Sequence, residues 1–178
     1  MKINKSFNTS FPYFYKDDIK QILKKTEEIL SGNKMLTMSL NVKEFENKFS
    51  KYCNTKYAIA TSSCTSALEI CLSSLNLKTD DEVIVPVQTF IATGSSVLKT
   101  GAKIVFCDVD QNFLLDFKYL KNLITKKTKA VIIVHFAGMV SENIIKIKNF
   151  LKKRNIYLIE DAAHSHGATF GKLKAGNI

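Results

Sequence analysis

The sequence predicts an α/β fold of three layers, α/β/α, built on a mainly parallel sheet. Three observations lead there. Short β-branched runs recur at "YAIAT" (57–61), "EVIVP" (82–86), "KIVFCDV" (103–109), "AVIIVH" (130–135) and "IYLIED" (156–161). Their apolar residues are largely consecutive rather than alternating, as in strands covered on both faces. Longer segments with helical spacing lie between them and supply the covering layers.

The intervening elements follow in order. "KDDIKQILKKTEEIL" (16–30) and "NVKEFENKFSKY" (41–52) read as amphipathic helices joined by the loop "SGNKMLTMSL" (31–40). Ala67, Leu68, Cys71 and Leu75 form one apolar stripe after the first strand. "TFIATGSSVLK" (89–99) is a third helical segment, in which Gly94 costs helix propensity. Ile144, Ile147 and Leu151 form another stripe, with Ser141 as the expected N-cap. No internal repeat or low-complexity tract interrupts the pattern.

Composition narrows the class. With 178 residues, 46% of them hydrophobic, the chain has apolar material for one sizeable core. No run approaches the roughly 18 apolar residues of a membrane span. The first residues, "MKINKSFNTSFPYFYKDD", lack the apolar segment of a signal peptide, so a cytoplasmic protein is expected. Cys53, Cys64, Cys71 and Cys107 have no zinc-knuckle or CxxC spacing. Cys71 and Cys107 read as small core residues, and all four as reduced thiols.

The net charge of +10 invites a nucleic-acid reading, but its carriers oppose it. Arg154 is the only arginine, and the lysines are dispersed, with pairs at 24–25, 126–127 and 152–153. Phosphate and base forks favour arginine's planar group. The charge reads as a solvated lysine surface, compatible with an anionic small molecule.

In parallel sheets, ligands bind beyond the carboxyl ends of the strands. Those ends carry "TSSCTS", "PVQTF", "DVD", "HFAG" and "EDAAH". Ser62 to Ser66 open a helix with small hydroxyl residues, which suits either an ordinary N-cap or a phosphate held by free N–H groups. Neither GxxxxGK[ST] nor GxGxxG occurs, so P-loop and dinucleotide sites have no support. Phe90 at the mouth of the sheet suits a core residue or a cover for a flat ligand.

Asp161 and His164 leave three alternatives open. Glu160, Asp161, His164 and His166 are metal-ligand types, although strand alternation points the two acids to opposite faces. Asp161 also suits a cap on loop amides. As a third alternative, a buried carboxylate meets a protonated ring nitrogen of a cofactor, with His164 on the ring's phenolic oxygen.

Taken together, the phosphate-cradle helix, the aromatic after "VP", "VH..G" and "EDAAHSHGA" resemble the N-terminal half of the DegT/DnrJ/EryC1/StrS sugar aminotransferases, which are pyridoxal 5'-phosphate (PLP) proteins of fold type I. Motifs in register run from "FPYFYKDDI" through "LTMSLNVKEFE", "DDEVIVPVQTFIAT" and "GAKIVFCDVD" to "IYLIEDAAHSHGATFGKLKAG". The resemblance implies an N-terminal helix and substrate-loop segment over 1–40. Residues 41–178 become an incomplete PLP-binding large domain, with the C-terminal small domain absent. It implies that Ser63, Cys64 and Thr65 hold the PLP phosphate, with Cys64 where glycine is common. Phe90 stacks on the ring, Asp161 meets the pyridine nitrogen, and His164 lies near the phenolic oxygen. Ser39 stands where the family has glycine, in a loop that helps form the substrate site across a homodimer.

The family's Schiff-base lysine lies beyond the position that Gly176 matches, and Lys172 and Lys174 read as surface residues. The expectation is therefore a fragment, inactive by itself, with an open sheet edge. The whole enzyme would move an amino group, from glutamate, onto a nucleotide-linked keto sugar for polysaccharide or metabolite biosynthesis. Two rivals stay open: a PLP-dependent sugar dehydratase of the same family, and a non-catalytic remnant of a split or frameshifted gene. No nucleic-acid or membrane partner is expected.

Overall fold

The computed structural model describes residues 13–178. Readings that fall on 1–12, among them the lack of signal-peptide character, lie outside the described residues. The chain divides into two units, one up to Phe45 and one from Glu46 to Ile178.

In the first unit, α1 (Lys16–Leu30) opens with Asp17 and Asp18, acids that suit the positive end of a helix dipole. Gly32, at φ +80°, turns the chain after it. Ser39 starts α2 (Leu40–Cys53), its carbonyl accepting from the Val42 and Lys43 N–H groups.

The second unit holds a four-stranded sheet. Its strands are β1 (Glu82–Pro86), β2 (Lys103–Cys107), β3 (Thr128–Val134) and β4 (Tyr157–Asp161). They run in the order β2-β1-β3-β4, and every pair is parallel. The helices are α3 (Cys64–Ser74), α4 (Ile91–Leu98), α5 (Phe117–Leu123) and α6 (Ile144–Lys152).

Strand alternation builds a core on each face. Val83, Val85, Ala130 and Ile132 pack with Leu68 and Leu72 of α3 and Val97 of α4. Ile84, Val131 and Ile133 pack with Leu120 of α5 and Ile144, Ile147 and Leu151 of α6. Successive residues of one strand thus serve opposite cores, which is why the strands read as continuous apolar runs. This is the predicted α/β arrangement of helices flanking a parallel sheet. From β1 the chain proceeds to β2 on one side, while β3 and β4 extend on the other. The strand order therefore reverses at β1 and β3, the place where such sheets bind ligands.

Several expectations need correction. The run 57–61 is not a strand: Tyr57 and Ile59 are 73% and 79% exposed, and no strand pairs with it among the described residues. Its Ala60 N–H goes instead to the Glu46 carboxylate, at 2.8 Å. β-propensity makes a strand only where a neighbouring strand takes up the backbone groups. Helix α6 starts at Ile144 with Asn143 as N-cap, later than Ser141 would place it. Ser141 opens the preceding turn, its Oγ accepting from the Asn143 N–H. Cys71 is exposed, whereas Cys107 and Cys53 are buried.

Sequence reasoning missed α5, whose seven residues are too few for periodicity to register. Asp116 caps it, Oδ1 accepting from the Lys118 and Tyr119 N–H groups at 2.6 and 3.2 Å. In Asp116→Ala these donors lose their acceptor, and the expected loss is about 1 kcal/mol of unfolding free energy, read by urea denaturation. An unchanged midpoint would show that the cap contributes nothing.

A hairpin of β5 (Thr169–Phe170) and β6 (Leu173–Lys174) follows β4. Lys172 in its turn is exposed. Lys174 is more engaged than a surface lysine: its Nζ donates to the Tyr52 carbonyl and lies 3.3 Å from the centre of the Tyr52 ring.

Candidate functional site

The carboxyl ends of the strands bring three elements together. Asp161 ends β4 and is only 7% exposed. Its parity along β4 matches Ile159, so it projects toward the face covered by α3 and α4. There Thr93 of α4, itself fully buried, donates from Oγ1 to Asp161 Oδ2 at 3.1 Å. Cys64, the first residue of α3, donates from Sγ to Oδ1 at 3.6 Å. The Ala163 N–H also donates to Oδ1, at 3.2 Å. Asp161 has no cationic partner among the described residues. A buried carboxylate is costly without such compensation.

The start of α3 has the expected cap. Ser63 is the N-cap, its Oγ accepting from the Ser66 N–H at 3.2 Å. Ala67 N–H bonds the Ser63 carbonyl, so the remaining first-turn donors are those of Cys64 and Thr65. Ser63 and Cys64 are exposed and Thr65 is half-buried. The Cys64 thiol is pushed up to about 11, by partial burial first and then by the charge and hydrogen bond of Asp161. It is therefore a protonated donor at neutral pH.

Phe90 is the N-cap of α4, and its carbonyl accepts from the Thr93 N–H. Its ring is 71% exposed, as a covering group needs and a core residue does not. His164 is exposed and lies against Phe136, with ring centres 6.2 Å apart. It makes no hydrogen bond to Asp161. The structure thus brings Cys64 and Asp161 into contact and leaves Phe90 and His164 with their rings open to solvent.

Glu160 projects to the opposite face, paired in register with Ile133. Its Oε2 meets His135 Nε2 at 2.9 Å and the Gly176 N–H at 2.9 Å, and Oε1 accepts from the Ile178 N–H at 2.7 Å. Burial raises the Glu160 carboxyl, but the His135 bond, the two backbone donors and the His135 charge outweigh it and hold it below its ordinary value. The acids therefore share no ion, and no group of three possible metal ligands occurs among the described residues. His166 rests edge-on against Phe49 at 6.4 Å.

Thr93 and the His135–Glu160 pair were not singled out by the sequence. For Thr93 one signal existed: a hydroxyl four residues after Thr89, one helical turn on.

The model of the DegT/DnrJ/EryC1/StrS aminotransferase family matches residues 16–178. The chain belongs to that family. GDP-perosamine synthase of Caulobacter vibrioides is 40% identical over 136 residues, 76% of this chain and 36% of that protein. The solved aminotransferase from Psychrobacter cryohalolentis superposes with a TM-score of 0.84 at 34% identity, over 93% of this chain and 41% of that one. GDP-4-keto-6-deoxymannose-3-dehydratase, solved with a trapped PLP-glutamate geminal diamine, gives 0.79 at 32% identity, over 86% and 41%. The chain spans about two fifths of the length of these relatives. The family and its solved neighbours are PLP-dependent enzymes of fold type I. No helix among the described residues is long and apolar enough to cross a membrane.

Within this DegT/DnrJ/EryC1/StrS frame, the donor set suits the cofactor. A buried carboxylate without a cation fits a ring nitrogen that carries a proton. Two unpaired N–H groups at the start of an eleven-residue helix fit a phosphate.

Proposed function

We propose that this chain forms part of the PLP site of an enzyme that transfers an amino group, from glutamate, to a nucleotide-linked keto sugar. One observation carries the reading: Asp161 is buried at the end of β4, beside the start of α3, with no cation among the described residues to balance it. PLP, when bound, supplies a pyridinium ring that draws electrons from the substrate carbon attached to nitrogen.

The chain's own residues divide the work. Asp161 holds the proton on the ring nitrogen. The N–H groups of Cys64 and Thr65, with the Ser63 and Thr65 hydroxyls, bind the phosphate. Phe90 covers one ring face and excludes water from it. His164 hydrogen-bonds the phenolic oxygen. Neither Lys172, exposed in the hairpin turn, nor Lys174, held at Tyr52, is assigned the proton shuttle.

Titrating the chain with PLP and with pyridoxal, which lacks the phosphate, tests the cradle. The expected preference for PLP is about tenfold or more, an increment of at least one charge-assisted hydrogen bond. Equal affinity would remove the phosphate assignment.

The similarity to a 3-dehydratase supports a second reading, in which the same site removes a hydroxyl from the sugar. The enzyme containing this chain, given glutamate and a nucleotide-linked 4-keto-6-deoxy sugar, distinguishes the two by product mass. Gain of an amino group supports transfer, and loss of a hydroxyl supports dehydration. The reading also includes a homodimer, with Ser39's loop at the substrate. It further includes a reducing, cytoplasmic setting, which suits four free thiols.

A further inference from the structure

We propose that Thr93 is a positioning residue for Asp161, and that Oδ2, the oxygen it holds, is the one that takes the ring N–H. The inference rests on the cofactor reading above and deepens it. A carboxylate offers about four lone-pair sites, two on each oxygen. On Oδ1 both are engaged, by the Cys64 thiol and the Ala163 N–H. On Oδ2 one is engaged, by Thr93. The remaining capacity is therefore on Oδ2.

Thr93 is well placed to hold that oxygen still. It is fully buried in the first turn of α4, and its N–H bonds the Phe90 carbonyl. Its Oγ1 also lies 2.7 Å from Thr89 Oγ1. A hydroxyl has one proton. Because Thr93 directs its proton to the carboxylate, Thr89 must donate to Thr93. The chain Thr89–Thr93–Asp161 has one direction, and it ends on the oxygen with a free lone pair. Hydrogen bonds in such a chain reinforce one another, which fixes the position of the oxygen they end on. The first turn of α4, capped by Phe90, thus carries both the ring cover and the hydroxyl that orients the acid at the end of β4.

Thr93→Val keeps the shape of the side chain and removes the hydroxyl, and Thr93→Ser keeps the hydroxyl. Two readouts separate positioning from simple packing. The first needs no cofactor: alkylation of Cys64 at alkaline pH, followed by peptide mass spectrometry, with exposed Cys71 as internal control. Releasing Oδ2 lets the carboxylate turn away from the thiol, so Thr93→Val is expected to alkylate Cys64 about threefold faster than wild type. Thr93→Ser should match wild type, and Asp161→Asn should accelerate the reaction as well. The second readout is PLP affinity, expected to fall about fivefold in Thr93→Val, the equivalent of one neutral hydrogen bond, and to be retained in Thr93→Ser.

An unchanged Cys64 rate in Thr93→Val overturns the proposal, whether or not Asp161→Asn alters it. Equal losses in Val and Ser overturn it too, since packing would then be the cause. If Asp161→Asn weakens PLP binding and Thr93→Val does not, the proposal fails alone. If neither variant changes PLP affinity, it falls together with the cofactor reading.

Discussion

Asp161→Asn is expected to weaken PLP binding by about thirtyfold or more while the chain stays folded. Truncating one side of a buried, hydrogen-bonded charge pair costs about 2–5 kcal/mol, and 1.4 kcal/mol is a factor of ten. Asparagine has nearly the same shape and keeps an acceptor for Thr93 or Ala163, so packing around α4 survives. The folded apo chain loses a buried charge that has no cation beside it among the described residues. That change is neutral or mildly stabilising in the absence of PLP. The variant therefore separates binding from folding: the urea midpoint holds or rises, and the titration with PLP shifts to higher concentration. A shift below about threefold would be smaller than a single hydrogen bond supplies and would detach Asp161 from the ring nitrogen.

Glu160→Ala is expected to act in the opposite way, costing about 3 kcal/mol of stability, since three hydrogen bonds lose their acceptor at about 1 kcal/mol or more each. The substitution leaves His135, 1% exposed, without its partner. It also leaves the Gly176 and Ile178 N–H groups without acceptors. Those two bonds tie the residues after β6 to β4, and Ile178 is buried in the core beside α6. Limited proteolysis should therefore cut between 171 and 178 in the variant and not in the wild type. The pH dependence follows from the lowered Glu160 carboxyl. A depressed pKa contributes stability that is fully present above the unfolded-state value, here near 4.5, and is lost as pH falls through the folded-state value. Wild type and variant should accordingly differ most near neutrality and converge in acid. Parallel curves down to low pH would mean that Glu160 contributes by shape and not by charge.

These two acids are neighbours in sequence and opposite in role, and the strand explains it. Alternation along β4 sends Glu160 toward the α6 side and Asp161 toward α3 and α4. That much was legible, because period two is a local property of extended backbone. What each acid meets was not. His135 arrives from β3, Gly176 and Ile178 from beyond the hairpin, and Thr93 from α4, 68 residues before Asp161.

Length also set the limit. The three long helical patterns upstream of β1 were visible because several turns repeat the apolar spacing. Helix α5 has too few residues for that and is held by the Asp116 cap and by Leu120 in the core. The run 57–61 shows the reverse error. Its β-branched composition predicted a strand, but pairing depends on a neighbour, and none lies beside it among the described residues.

By itself, the sequence determined the parallel α/β class, the family motifs and the list of groups at the strand ends. All are written in short-range spacing and residue type. Only the tertiary structure decided that Asp161 is buried with no cation beside it among the described residues, that Thr93 and Cys64 share its oxygens, and that Glu160 belongs to a separate structural pair. Burial and partner choice depend on which distant segments the sheet brings together, and no local pattern records that.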